Sequence, residues 1–244
     1  MDSRSLPPET ARLWRRLRAE PLLRGFVLVG GTALAMRIGH RSSEDLDFAY
    51  VAGQSLPRRV LDRLRAGLSD EGWNLASLAD QAALQDVIDA GLDLEDRQQD
   101  YSVDDAVRLS FVRLRNNATS LLAAAGVGPL RVASLDEIFA TRVLAAAERS
   151  RSRDWFDLYI LMARHGYRVE DLERVCSRIG EPQQYDIVKT KLLACKPSAA
   201  DEGYEHLLED APTPAQMSEF FAGAFNEFER MATVARIARE RSAR

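Results

Sequence analysis

Four apolar residues, Phe26-Val27-Leu28-Val29, run straight into Gly30-Gly31 and from there into Thr32-Ala33-Leu34. A short unbroken apolar run reads as a strand covered on both faces. The glycine pair ends it abruptly, and residues 32–38 favour helix, with Gly39 placed to close it. A buried strand that turns directly into a helix belongs to a layered α/β arrangement. The turn also exposes the first N–H groups of the helix, where the helix dipole favours an anion. Glycine lets a phosphate approach the backbone, and the Thr32 hydroxyl can add a donor. The same pair can equally serve tight packing. No Gly-Lys-Thr follows, so the turn is not a P-loop.

The next informative segment is Ser43-Glu44-Asp45-Leu46-Asp47-Phe48. Strand alternation puts Asp45 and Asp47 on one face, about 7 Å apart at Cα, with Leu46 and Phe48 facing the other way. Neighbouring carboxylates repel and call for a compensating cation. A magnesium pair does this and leaves coordination open for substrate phosphates. The alternative is a solvated strand end, with Asp45 capping a turn.

The rest of the chain falls into two parts. Residues 7–20 read as helix, 46–51 as strand, 57–68 as helix, 73–78 as strand and 106–114 as strand, while 80–105 follow no clear period. Past Pro129 the character changes. Ser134 and Glu137 form a capping box that opens a helix to about Arg149. Residues 152–165, 168–179, 184–195 and 214–240 all favour helix. The expected division is an α/β domain over 1–130 and a helical domain over 131–244.

Composition limits the partners. With 33 Lys and Arg against 37 Asp and Glu, the net charge of −4 argues against a general nucleic-acid coat protein. Nearly every cation is Arg, clustered near Arg12–Arg24, Arg142–Arg153 and Arg230–Arg244. These clusters are either a track for a phosphate backbone or solvated helix faces. Cys176 and Cys195 have no CxxC spacing and read as thiols in a reducing compartment. No signal-type apolar segment opens the chain, and the longest apolar run is too short to span a bilayer. A cytoplasmic location without membrane contact is expected.

Gly30-Gly31-Thr32, followed by His40-Arg41-Ser42-Ser43-Glu44-Asp45-Leu46-Asp47-Phe48, resembles the nucleotidyltransferase signature of the polymerase-beta superfamily. More narrowly, it is similar to the AbiEii/AbiGii toxin family, with its GGTxL…HRxSxDLDF pattern. A second block agrees in order: Ala133-Ser134-Leu135-Asp136-Glu137-Ile138, then Arg142 and Arg149, then Arg153-Asp154-Trp155-Phe156-Asp157-Leu158-Tyr159. The likeness covers roughly residues 25–165. It implies a polymerase-beta-like α/β (α+β) core with a short mixed sheet, followed by a helical C-terminal domain.

The resemblance implies that Gly30, Gly31 and Thr32 hold the nucleotide phosphates and that Asp45 and Asp47 bind Mg²⁺. Arg142, Asp154 and Asp157 match charged residues of the family's active centre, with Arg149 and Arg153 beside them. Arg153 and Asp157, four apart, can alternatively pair along one helix. Arg41 is placed to reach a triphosphate, and His40 to reach it or to fasten the loop. Two departures stand out. Arg142 replaces the usual Lys, which keeps charge but removes any proton-transfer role. Ser110 occupies the strand position where many superfamily enzymes carry a third carboxylate, although this subgroup often has Ser there.

The implied activity is transfer of a nucleoside monophosphate from an NTP to an acceptor hydroxyl. The acceptor expected from the family is RNA, such as tRNA, in a toxin paired with an antitoxin protein. A catalytically silent nucleotide-binding or regulatory protein of the same fold is the alternative. A transferase acting on small molecules is a third reading, which the Arg153-Asp154-xx-Asp157 block opposes.

Overall fold

The structure is a computed structural model that describes residues 6–79, 94–123, 130–199, 201–208 and 210–242. It divides into two compact units, Met1–Ile138 and Phe139–Arg244.

The first unit is a mixed six-stranded sheet with helices. Its elements are α1 (Pro8–Leu17), β1 (Phe26–Val29), α2 (Gly30–Ile38), β2 (Leu46–Tyr50), α3 (Arg58–Asp70), β3 (Leu75–Ser77), β4 (Gln98–Val103), β5 (Val107–Val112), the short α4 (Asn116–Thr119) and β6 (Arg131–Val132). The strand order is β3-β4-β5-β2-β1-β6. β1 pairs antiparallel with β2 and parallel with β6, while β5 runs parallel to β2 and antiparallel to β4. The expected short mixed sheet is present. β1 is buried at all four positions, as an apolar run inside a sheet must be. Phe26, Phe48 and Phe111 meet from three neighbouring strands, with ring centroids 5.5 and 5.7 Å apart. Burial of each such ring contributes roughly 2–3 kcal/mol.

Two strands lie where the sequence carries no strand period. β4 reads Gln-Gln-Asp-Tyr-Ser-Val, so its polar residues hide it; pairing on both sides with β3 and β5 makes it a strand. β6 has only two residues, and its pairing with β1 adds residues beyond 130 to the sheet. The unassigned stretch 80–93 lies outside the described residues.

The division between the units falls within α5 (Leu135–Glu148). The second unit continues with α6 (Ser152–Arg164), α7 (Val169–Arg178), α8 (Gln184–Ala194) and α9 (Pro214–Ser242). These four helices match the helical segments expected from the sequence. Trp155, Phe156, Tyr204, Phe221 and Phe225 are fully buried in this unit, and Phe156 stacks on Tyr204 at 5.1 Å. Cys176 and Cys195 are buried free thiols. The end of α9 differs: every residue from 229 to 241 is exposed, including Met231, Val234 and Ile237. Among the described residues, no helix is long and apolar enough to cross a membrane.

Candidate active site

Gly30 takes a left-handed φ of +75°, and this lets β1 turn into α2 with no intervening loop. At the other end of α2, Gly39 (φ +62°) closes the helix and donates its N–H to the Ala35 carbonyl at 2.8 Å. Val29 pairs with Asp47 across the β1–β2 ladder, so the glycine turn and the acidic pair lie at the same end of the sheet. The contact is close. A Cβ placed on Gly30 would sit 3.2 Å from Asp47 Cγ and nearer still to Oδ2. The Asp47 carboxylate therefore packs over the bare Cα of Gly30.

Asp45 is fixed through its backbone. The buried Thr32 hydroxyl donates to the Asp45 carbonyl and lies 2.8 Å from the Ser43 hydroxyl. Thr10 on α1 donates to the Glu44 carbonyl at 2.9 Å, which holds the same approach to β2 from the other side. In this arrangement Thr32 positions Asp45, and its hydroxyl points at the protein. Asp45 and Asp47 are half-buried, whereas Leu46 and Phe48 are fully buried, which is the alternation expected of this strand. Arg41 is buried and donates to the Ser42 carbonyl at 2.9 Å.

Strand register extends the site across β5 and β4. Asp47 stands opposite Ser110, and Ser110 stands opposite Asp100. One step toward the strand start, Leu46 pairs with Leu109, and two steps along β5 from Ser110, Arg108 pairs with Ser102. Paired residues share a sheet face, and strands lie about 4.8 Å apart. Asp47, Ser110 and Asp100 therefore form one row, with Arg108 beside them in the line of Asp45. Arg108 Nη2 donates to Asp100 Oδ2 at 3.0 Å, and Gln98 donates to the same oxygen at 2.8 Å. Arg108 Nε and Asp100 Oδ1 are buried without a hydrogen-bond partner among the described residues. Burial works against the Arg108 charge, but Asp100, followed by the charges of Asp45 and Asp47, holds the guanidinium above its ordinary value.

Two half-buried carboxylates on one face suit a divalent ion that takes its other ligands from water and phosphate, as magnesium does. Among the described residues, no group of three or more His, Cys, Asp or Glu side chains could hold a metal.

The charged residues of the second unit form their own cluster. Arg142 forks between two carboxylates of α6, with Nη1 2.6 Å from Asp154 Oδ1 and Nη2 2.9 Å from Asp157 Oδ2. Arg149 grips Asp154 through Nε at 2.7 Å and Nη2 at 3.0 Å. Asp154 and Asp157 are 1% and 0% exposed at the side chain, while Arg149 is 46% exposed. Two guanidinium groups balance two carboxylates, as burial of charge requires. Arg153 takes another direction. It donates to the Gly203 carbonyl at 2.8 Å, pairs with Glu202 at 3.3 Å and lies 3.4 Å from His206. Asp201 caps the start of α6, accepting from Ser152 N at 3.0 Å and Ser152 Oγ at 2.6 Å.

No motif in the sequence singles out Arg108, Asp100 or Asp201. Alternation along β5 was enough to place Arg108 on the face of Ser110. The role of Asp100 depends on a strand whose polar sequence conceals it.

The family model described as the nucleotidyl transferase AbiEii toxin of type IV toxin–antitoxin systems matches residues 12–231. An uncharacterised protein of Aquifex aeolicus (strain VF5) is 24% identical over 225 residues, covering 92% of this chain and 98% of that one. Among solved structures, MenT4, the nucleotidyltransferase toxin Rv2826c from Mycobacterium tuberculosis H37Rv, is similar with a TM-score of 0.51 and 18% identity, over 88% of this chain and 83% of that one. JHP933 from Helicobacter pylori gives a TM-score of 0.48 and 16% identity, over 95% of this chain and 97% of that one.

Proposed function

Since the chain belongs to the AbiEii nucleotidyl transferase toxin family of type IV toxin–antitoxin systems, we propose that it moves a nucleoside monophosphate from an NTP to an RNA hydroxyl, with Mg²⁺ held by Asp45 and Asp47. The observation that carries this reading is the packing of the Asp47 carboxylate over Gly30, at the start of α2. It brings a metal-type acidic pair and an anion-type helix start within one side chain's reach.

The acceptor oxygen bonds to the α-phosphorus, the bond to the β-phosphate bridging oxygen breaks, pyrophosphate leaves, and the hydroxyl proton passes to solvent. A divalent ion, when bound, supplies charge neutralisation and polarises the phosphoryl oxygens. The protein's own part is positioning. The N–H groups at Gly30 and Gly31 receive phosphate oxygens at the positive end of α2. Thr32 holds the Asp45 backbone, and Gly30 leaves room for the Asp47 carboxylate.

Arg142, Asp154 and Asp157 engage one another within the second unit, where Asp154 also holds Arg149. Arg149 and Arg151, exposed around the start of α6, support an RNA backbone track in the second unit. Family membership implies an antitoxin counterpart.

The test is incubation with Mg²⁺, α-labelled NTPs and total RNA. Wild type is expected to label RNA, and Asp45→Ala to reduce labelling by at least about a thousandfold. Full labelling in the variant refutes the metal assignment. Nucleotide binding without transfer by wild type refutes the reaction.

A further inference from the structure

We propose that Arg108 receives the phosphate of the acceptor strand that lies next to the reacting hydroxyl. The inference rests on the transferase reading above and adds a direction to it.

The direction comes from the order of strands. β1, ending at Gly30, lies on one side of β2, and β5, carrying Arg108, lies on the other. In-line displacement puts the attacking oxygen and the departing pyrophosphate on opposite sides of the α-phosphorus. With the triphosphate at the Gly30-Gly31 turn and Asp45 and Asp47 beneath the reacting centre, the acceptor hydroxyl comes in over β5.

On that face the described residues of β4 and β5 include Ser110, Asp100, Ser102 and one cation, Arg108. Arg108 spends only Nη2 on Asp100 and stays 40% exposed at the side chain. Nε is buried, so an incoming phosphate meets the Nη1–Nη2 edge, and such an edge matches phosphate oxygens in pairs. Asp100 occupies one side of this guanidinium, and the exposed edge can take a second anion. A phosphodiester one linkage before the reacting hydroxyl supplies it; a neutral acceptor does not. Asp100, bonded to Arg108 and steadied by Gln98, is the positioning residue for this contact.

The test uses the full chain, a fluorescein-labelled single-stranded RNA nonamer with a free 3′ hydroxyl, and the same nonamer with its last linkage replaced by an uncharged methylphosphonate. RNA affinity is read by anisotropy and Mg-ATP affinity by calorimetry. For wild type, neutralising the last linkage is expected to weaken binding about tenfold. Arg108→Ala should weaken binding of the native RNA by a similar factor, show no further loss with the neutral linkage, and bind Mg-ATP no more weakly than wild type. Arg108→Lys should keep part of the linkage penalty, and Asp100→Asn should shrink it.

The proposal is overturned if wild type ignores the neutral linkage or fails to bind the nonamer. It is also overturned if Arg108→Ala loses affinity for both RNAs alike, or loses Mg-ATP instead. Mg-ATP binding that does not depend on Asp45 and Asp47 removes the parent reading. Intact Mg-ATP binding with no linkage penalty removes only this one.

Discussion

A single methyl group added at position 30 would collide with the carboxylate of Asp47. It would also have to adopt a left-handed backbone that costs a non-glycine residue about 1 kcal/mol. Gly30→Ala is therefore expected to lower stability by roughly 1–3 kcal/mol. It should also weaken metal-dependent NTP binding by at least about tenfold, because Asp47 must give way. A melting curve and Mg-ATP calorimetry check both effects; unchanged Mg-ATP affinity would mean that the contact is dispensable. The glycine pair and the Asp45–Asp47 spacing were readable in the chain because both are local patterns, set by a turn and by strand alternation. The use of the Thr32 hydroxyl was not. Its partners are the Asp45 carbonyl and Ser43, and whether a hydroxyl turns toward a ligand or toward the next loop depends on packing that local pattern does not encode.

The start of α5 shows how a local signal becomes tertiary. Ser134 and Glu137 form the expected capping box, with Ser134 N donating to Glu137 at 2.7 Å and Glu137 N donating to Ser134 Oγ at 3.2 Å. The Glu137 carboxylate also accepts from Ala123 N at 2.6 Å and from Arg131 at 2.8 Å. Burial alone would raise its pKa, but Arg131 and the backbone N–H groups outweigh it and bring the group down to about 2, from an ordinary value of 4.5. A carboxylate with a depressed folded pKa stabilises the protein above its unfolded value and loses that contribution as pH falls. Stability should therefore decline between about pH 4.5 and 2. Glu137→Gln should cost about 1–2 kcal/mol at neutral pH and flatten that acid slope, which denaturant melts across the pH range would reveal. The capping box follows from two residues three apart, so the sequence sufficed to find it. β4 and β6 escaped because one is polar and the other has two residues; each exists through its neighbours in the sheet.

Across the whole chain, the family resemblance and the mixed α/β fold expected from the motifs are both borne out. The two cysteines both belong to the second unit. Burial pushes the Cys176 thiol up to about 11 and the Cys195 thiol up to about 12, so little thiolate forms near neutrality. Iodoacetamide at pH 8 should modify the native chain at least about a hundredfold more slowly than the urea-unfolded chain. Modified-peptide mass spectrometry reads this out, and rapid native labelling would contradict the burial of both thiols. With no thiol in the first unit, such labelling reports on opening of the helical half alone. At the far end of that half, beyond the Lys189–Glu229 ion pair, every residue of α9 from 230 to 241 is exposed. Helicity there is borrowed from the anchored turns before it, one hydrogen bond at a time. Warming should thus unwind this end gradually from its tip, as an isolated peptide does, while the anchored core stays cooperative.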